Sequence, residues 1–371
     1  MAKTLSATKK ELLSRVIGHF GLERNADISV YGNGHIHETY KIVSKEGNFI
    51  LQRVNTNAFS DMEKLMENIM RVTRHLHAKL EAAGRDPREG TLTVIPTVYG
   101  FPWLRYEEET YRLYIMIDGE TREVPCVRDM EAAGEGFGDF QNMLADFPAE
   151  VLHEAIPHFH DTPRRLENLR AAVKADKIGR MINCRDLVAQ AESELELVHS
   201  VTNALADGSI PLRVTHNDTK LNNVLFDPAT DRVKCVLDLD TVMPGSLLYD
   251  FGDALRFGMA TAAEDEPDTS KIGASIDLYR AFARGFIRAA GASMTQKEKE
   301  LLPLSPLLLT YECGIRFLTD YLDGDNYFHI AYKDHNLVRA RNQLTLLTRM
   351  RELLPEMKAV TEEVLSEYHC L

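Results

Sequence analysis

The chain has 371 residues, with 43 lysines and arginines against 56 aspartates and glutamates, a formal net charge of −13. That balance argues against nucleic acid and against an anionic membrane surface as partners. With 44% hydrophobic and 27% charged residues the mix is that of a globular protein with ample core material, and the length suggests roughly two or three folded units. No stretch approaches the roughly 18 consecutive apolar residues of a membrane span. The start, MAKTLSATKKELLSRVIGHF, has charges where a secretory leader has its apolar segment. The five cysteines (Cys126, Cys184, Cys235, Cys313, Cys370) are widely spread and free of C-x-x-C pairs. They read as reduced thiols of a cytoplasmic protein, not as a disulfide frame or a zinc site.

In chain order, Ile28 to Tyr31 and Tyr40 to Ser44 are short β-branched and aromatic runs on either side of a glycine turn, which predicts a hairpin. Phe49 to Val54 (FILQRV) predicts a third strand. From Asp61 the apolar residues Met62, Leu65, Met66, Ile69, Val72, Leu76 and Leu80 recur at helical spacing, with Ser60 as N-cap and Gly84 as stop. Strands follow at Phe101 to Tyr106 and Tyr111 to Ile117 around the turn EEET, and Asp118-Gly119 breaks the pattern. Most of the remainder is helical: Arg185 to Ala206 as one long helix, then Ser275 to Ala289, Leu307 to Leu322 and Leu337 to the end. Between them, PLRVTHNDTKLNNVLFDPATDRVKCVLDLD alternates short apolar runs with loop residues. The glycines of Gly134 to Gly138 predict a close-packed helix start, since no strand precedes them. The reading is an α+β chain of two lobes: residues 1–117, a small antiparallel sheet with one helix, and residues 118–371, larger and mainly α-helical.

The chemistry concentrates in His216-Asn217-Asp218, Asn223, Asp238 and Asp240. Phosphoryl transfer asks a protein mainly to align an acceptor oxygen and to neutralise developing charge. A loop carboxylate, an amide five residues on and a second carboxylate at the end of the next strand suit both tasks. Asp218 would orient an acceptor hydroxyl and take its proton. Asn223 and Asp238 offer hard oxygen ligands for Mg²⁺, and His216 would brace the loop. The apolar flanks, VLF and VKCVL, place these groups at strand ends, not on a solvated face.

These residues match H-x-D-x-x-x-x-N followed by a strand-borne Asp, and the chain resembles the aminoglycoside phosphotransferase and choline kinase branch of the protein-kinase-like fold. The resemblance implies Asp218 as the catalytic aspartate, Asn223 and Asp238 as metal ligands, and Asp250 in YDFGDALR as a structural aspartate. It also implies that the first lobe roofs ATP. Gly32 and Gly34 of YGNGHIHETY would approach the phosphates through their backbone, although His37 stands where G-x-G-x-x-G has its third glycine. Kinase-like proteins carry a lysine on the third strand; here Gln52 and Arg53 occupy its place, on opposite faces of the strand. Glu67 is the acidic residue nearest in pattern to that lysine's usual partner, with a surface role as the other option. Met116 and Ile117 begin the hinge that would contact adenine.

Beyond the general pattern, YGNGHIHETY, FILQRVN, IPHFHDTPRRLENL, THNDTKLNNVLFD, VLDLDTVMPGSLLYDFGDALR and RFLTDYLDGDNYF look like the N-acetylhexosamine 1-kinases. That resemblance implies transfer from ATP to the anomeric hydroxyl of an N-acetylhexosamine. Asp240 would be a second metal contact or a sugar contact. Arg316, a charge in an apolar helical stretch, either pairs with an acid such as Asp320 or reaches a ligand, and the resemblance favours sugar. His37-Glu38 replaces the Asn-Asp common in that group, which bears on sugar preference if the loop touches the acceptor. His158, His160 and Asp161 are read as having a structural or substrate-lobe role, not as metal ligands. Competing readings are another kinase of this fold acting on choline, homoserine or an aminoglycoside, a glycosyltransferase using Asp238-Leu239-Asp240 as a D-x-D, and a non-catalytic relative.

Overall fold

The computed structural model describes residues 5–32, 37–57, 59 and 61–369. They form two compact units: Met1–Glu120 with Lys234–Asp240, and Thr121–Val233 with Thr241–Leu371. The sequence divides the chain once, after residue 117. The chain instead returns to the first unit for seven residues, drawn there by pairs such as Arg112 with Asp240 and Lys234 with Glu89.

The first unit opens with α1 (Ala7–Gly18), capped by the Ser6 hydroxyl on Lys9 N–H. This helix is absent from the elements predicted above, although Leu13, Val16, Ile17 and Phe20 carry helical spacing. Its apolar side packs on one face of an antiparallel sheet of β1 (Asp27–Val30), β2 (Glu38–Ser44), β3 (Gly47–Val54), β4 (Val94–Ile95), β5 (Leu104–Tyr106) and β6 (Glu109–Ile115). The order is β1-β2-β3-β6-β4, with β5 also on β6. Alternation sends Phe49 and Leu51 into that core with Ile28, Ile42, Tyr111 and Leu113. α2 (Met62–Ala82) buries the predicted stripe and is capped by Asp61; the proposed cap Ser60 lies outside the described residues. One turn, α3 (Pro87–Gly90), follows.

In the second unit, α4 (Val127–Met143) lies against α9 (Ile276–Ala290) at minimal separation. A Cβ on Gly134 would run into the Phe282 carbonyl, and one on Gly138 would come 2.8 Å from that of Phe286. These glycines therefore occupy a helix interior instead of the predicted helix start, and serve packing. α5 (Thr162–Ala175) follows, capped by Asp161. The stretch predicted as one helix is two, α6 (Arg185–Glu192) and α7 (Leu195–Ala206). The chain leaves the helix at Ser193 and Glu194, where the Ser193 hydroxyl bonds Gln190 O at 2.7 Å. β7 (Arg213–Thr215), β8 (Val224–Phe226), β9 (Val233–Val236) and β10 (Met243–Gly245) are short strands, with β7 and β10 antiparallel. α8 (Leu247–Gly258), α10 (Gln296–Leu301), α11 (Ser305–Asp323) and α12 (His335–His369) complete the unit. Contrary to the sequence reading, one described segment, Gln296–Asp323, is long and apolar enough to cross a membrane. Its apolar character has a local cause: 89% of the window is buried within the protein, where α11 packs on α5, α8 and α12.

Candidate active site

β7 delivers Thr215 to a loop whose backbone is almost wholly committed. The Asp250 carboxylate, on the first turn of α8, accepts N–H bonds from His216 at 2.9 Å and Asn217 at 2.8 Å, and the Gln141 amide donates to it at 2.6 Å. Burial pushes the Asp250 carboxyl above its ordinary range, with His216 and these donors opposing that rise. Asn217 adopts a left-handed φ of 68°, held by its amide donating to Thr241 O at 2.7 Å. The Thr241 hydroxyl returns a bond to His216 O at 2.6 Å. His216 is fully buried between the edges of Phe137 and Phe140, and its Nδ1 accepts the Asp218 N–H at 3.2 Å. The predicted brace is thus a complete cage under one residue, Asp218.

Asp218 is half-buried and faces two donors. Lys220 Nζ lies 2.7 Å from Oδ1, and Asn223 Nδ2 donates to Oδ2 at 2.9 Å. Burial works to raise this carboxyl, yet Lys220, His216 and Asn223 together hold it below the usual range. With its nitrogen on Asp218, the Asn223 amide has its oxygen as the group offered to a hard cation. Lys220 is a residue the sequence reading passed over. Its signal was its place, two residues after Asp218 in THNDTKLNN.

The first unit carries the remaining predicted groups. Asp238 is half-buried at the end of β9, with a left-handed φ of 56°. Asp240 is 3% exposed and spent: Arg112 binds both its oxygens, and His37 Nε2 sits 2.5 Å from Oδ2. His37 Nδ1 accepts the Asn55 N–H at 3.1 Å. The expected sugar contact from His37 therefore meets a ring with both nitrogens engaged, and that from Asp240 a carboxylate with both oxygens engaged. Burial works against the Arg112 charge, but Asp240 holds it protonated above its ordinary value. Gln52 and Arg53 are divided by strand alternation. The Gln52 Oε1 accepts from Arg112 Nε at 3.0 Å, whereas Arg53 turns to the other face and bonds Glu38 at 2.6 Å and Glu109 at 2.8 Å. Arg112 itself was missed, although a lone arginine inside YRLYIMI signalled a buried charge. Glu67 pairs with Arg71 on its own helix. Gly32 has a φ of +71° with nothing crowding it; Gly34 lies outside the described residues. Met116 donates its N–H to Asn48 O at 3.0 Å, and Ile117 follows it half-buried.

Arg316 opens onto a pocket of about 140 Å³ in the second unit, with Arg165, Asn168, Thr319, Asp320, Asp323, Tyr327 and Phe328 in its wall. Its guanidinium lies 5.5 Å from the ring centres of both Phe159 and Phe328. It does not pair with Asp320, whose carboxylate instead accepts the N–H groups of Asn326, Tyr327 and Phe328 and the Asn336 amide. His160 bonds Glu312 at 2.8 Å.

Residues 27–291 match the model of the phosphotransferase enzyme family, APH. The chain belongs to that family. Solved structures similar to this phosphotransferase include a microcompartment-associated aminopropanol kinase (16% identity, TM-score 0.60, covering 93% of this chain and 98% of that one). An aminoglycoside phosphotransferase from Alicyclobacillus acidocaldarius is 14% identical, with a TM-score of 0.63 and 98% of each chain covered. A spectinomycin phosphotransferase in complex with ADP and spectinomycin is 14% identical, with a TM-score of 0.55, covering 97% of this chain and 100% of that one. At these identities the likeness shows the fold, which is kinase-like. The D-x-D glycosyltransferase reading falls with this family match and with the antiparallel sheet.

Proposed function

We propose that this phosphotransferase moves the γ-phosphate of ATP to the anomeric hydroxyl of an N-acetylhexosamine, GlcNAc or GalNAc, giving the sugar 1-phosphate. The observation that carries the reading is Asp218: an ionised, half-buried carboxylate on a caged loop, gripped by a lysine and an amide. It takes the proton of the attacking hydroxyl as the new O–P bond forms and the bond to ADP breaks. His216 and Asp250 hold the loop. Asn223 and Asp238 supply an amide and a carboxylate oxygen, a donor set that fits Mg²⁺, and the ion when bound neutralises phosphate charge. Gly32, Gln52, Met116 and Ile117 are assigned to the nucleotide, and Arg53, turned away from Gln52, is withdrawn from it.

The sugar part rests on the resemblance around Arg316 and on its pocket. Two guanidinium groups, an amide, a hydroxyl, two aromatic rings and the carboxylates of Asp320 and Asp323 give the pocket donors, acceptors and a flat apolar wall, a mixture that suits the hydroxyls and amide of an N-acetylhexosamine. A cytoplasmic location goes with ATP as donor; Cys126, Cys184, Cys235 and Cys313 are free thiols. Asp218→Asn is expected to lower turnover about a thousandfold while nucleotide affinity stays near wild type. Phosphorus NMR of the product decides the acceptor. An anomeric phosphate monoester supports the reading, whereas a 6-phosphate or a phosphorylated amino alcohol overturns it.

A further inference from the structure

Among the described residues of the first unit, Arg112 and Asp240 form a deeply enclosed ion pair. Arg112 is 2% exposed in the middle of β6. Its Nη1 and Nη2 grip the two oxygens of Asp240, the second at 2.8 Å, and its Nε is taken by Gln52. The Tyr114 ring covers it at 5.3 Å. On the other side of Asp240, His37 has Nδ1 fixed as an acceptor by Asn55 N–H, so the ring proton resides on Nε2 and is donated to Asp240. Three donors thereby engage both oxygens of Asp240.

Two residues upstream stands Asp238, in a left-handed conformation with a φ of 56°. One flank is β9. The other is Asp240. A bidentate guanidinium resists both rotation and translation of the carboxylate it grips, which a single point charge does not. His37, the first described residue after the glycine turn, ends on the same carboxylate.

We propose that Arg112 is a positioning residue for the Asp238 turn, and that Asp240 is committed to Arg112 and His37 and takes neither metal nor sugar. The inference rests on the assignment of Asp238 to magnesium made above. Arg112 replaces no third-strand lysine; it aims the metal-bearing carboxylate from below.

The test measures Mn²⁺ binding to the full chain by electron paramagnetic resonance, with and without a non-hydrolysable ATP analogue. Metal-free binding of the analogue and circular dichroism are followed in parallel. Arg112→Lys keeps the charge but loses the fork, and is expected to raise the Mn²⁺ half-saturation about tenfold, with a smaller change in metal-free nucleotide binding because Gln52 loses its Nε partner. Should that variant unfold, the neutral pair R112Q/D240N leaves no charge unmatched and is expected to show the same metal defect. Wild-type metal affinity in a folded variant of either kind overturns the proposal. So does Asp240→Asn losing metal as fully as Asp238→Asn while Arg112→Lys is neutral, which would make Asp240 a ligand. If Asp238→Asn itself binds Mn²⁺ normally, the assignment beneath the proposal fails first, and the proposal with it.

Discussion

At the scale of single residues, the state of Asp218 depends on a neighbour. Burial alone would push its carboxyl up, and Lys220 at 2.7 Å is the main force holding it down. Lys220→Met removes that charge, so the carboxyl should protonate at higher pH and the acid limb of the kcat/KM profile should move upward with it. Superimposable acid limbs in the two enzymes would show that Lys220 does not set the ionisation of Asp218. The two residues were adjacent on the page in THNDTKLNN, but adjacency does not reveal direction. A residue two positions along a loop can point anywhere, and only the cage under His216 and Asn217 turns this one back.

Elements are joined by less buried pairs, and one has a legible pH signature. Glu38 on β2 stands directly opposite Arg53 on β3 and bonds it, which lowers its carboxyl from 4.5 to about 2 against a partial burial that would raise it. A depressed carboxylate contributes stability that is present above its ordinary value and lost as pH falls through the lower one. Acid unfolding of the wild type should therefore steepen between pH 4.5 and about 2. Glu38→Gln should flatten that interval and cost less than about 1 kcal/mol at neutral pH, because both groups are part-exposed. A denaturant titration at several pH values measures it. The α4–α9 contact is less forgiving. Gly134→Ala sets a methyl against the Phe282 carbonyl and should destabilise by about 1–3 kcal/mol, read as a lower denaturation midpoint at unchanged slope.

On the scale of the whole molecule, the first unit is discontinuous: it needs Lys234–Asp240 from a distant part of the chain. A fragment of residues 1–120 lacks Asp240 and leaves Arg112 as an uncompensated charge in the core, a defect of about 3–5 kcal/mol. Such a fragment should show no cooperative thermal transition, and Arg112→Met within it should restore part of one. A cooperative transition in the unmodified fragment would mean that the returning segment is dispensable.

Periodicity and motif spacing were enough to mark the β2, β3 and β6 strands, the buried stripe of α2 and the Asp218 loop with Asn223, because each depends on residues near in sequence. The same local rules missed α1 and joined α6 to α7, which the chain separates at Ser193 and Glu194. They also left Gln52 and Arg53 undecided and offered His37 and Asp240 as ligands. Folding gives those groups partners far away in sequence: Gln52 meets Arg112, Arg53 bonds Glu38 and Glu109, and Asp240 is held by His37 and by Arg112 across 128 positions. Hydrogen-bonding capacity is finite, and which partner exhausts it is decided by folding, not by spacing.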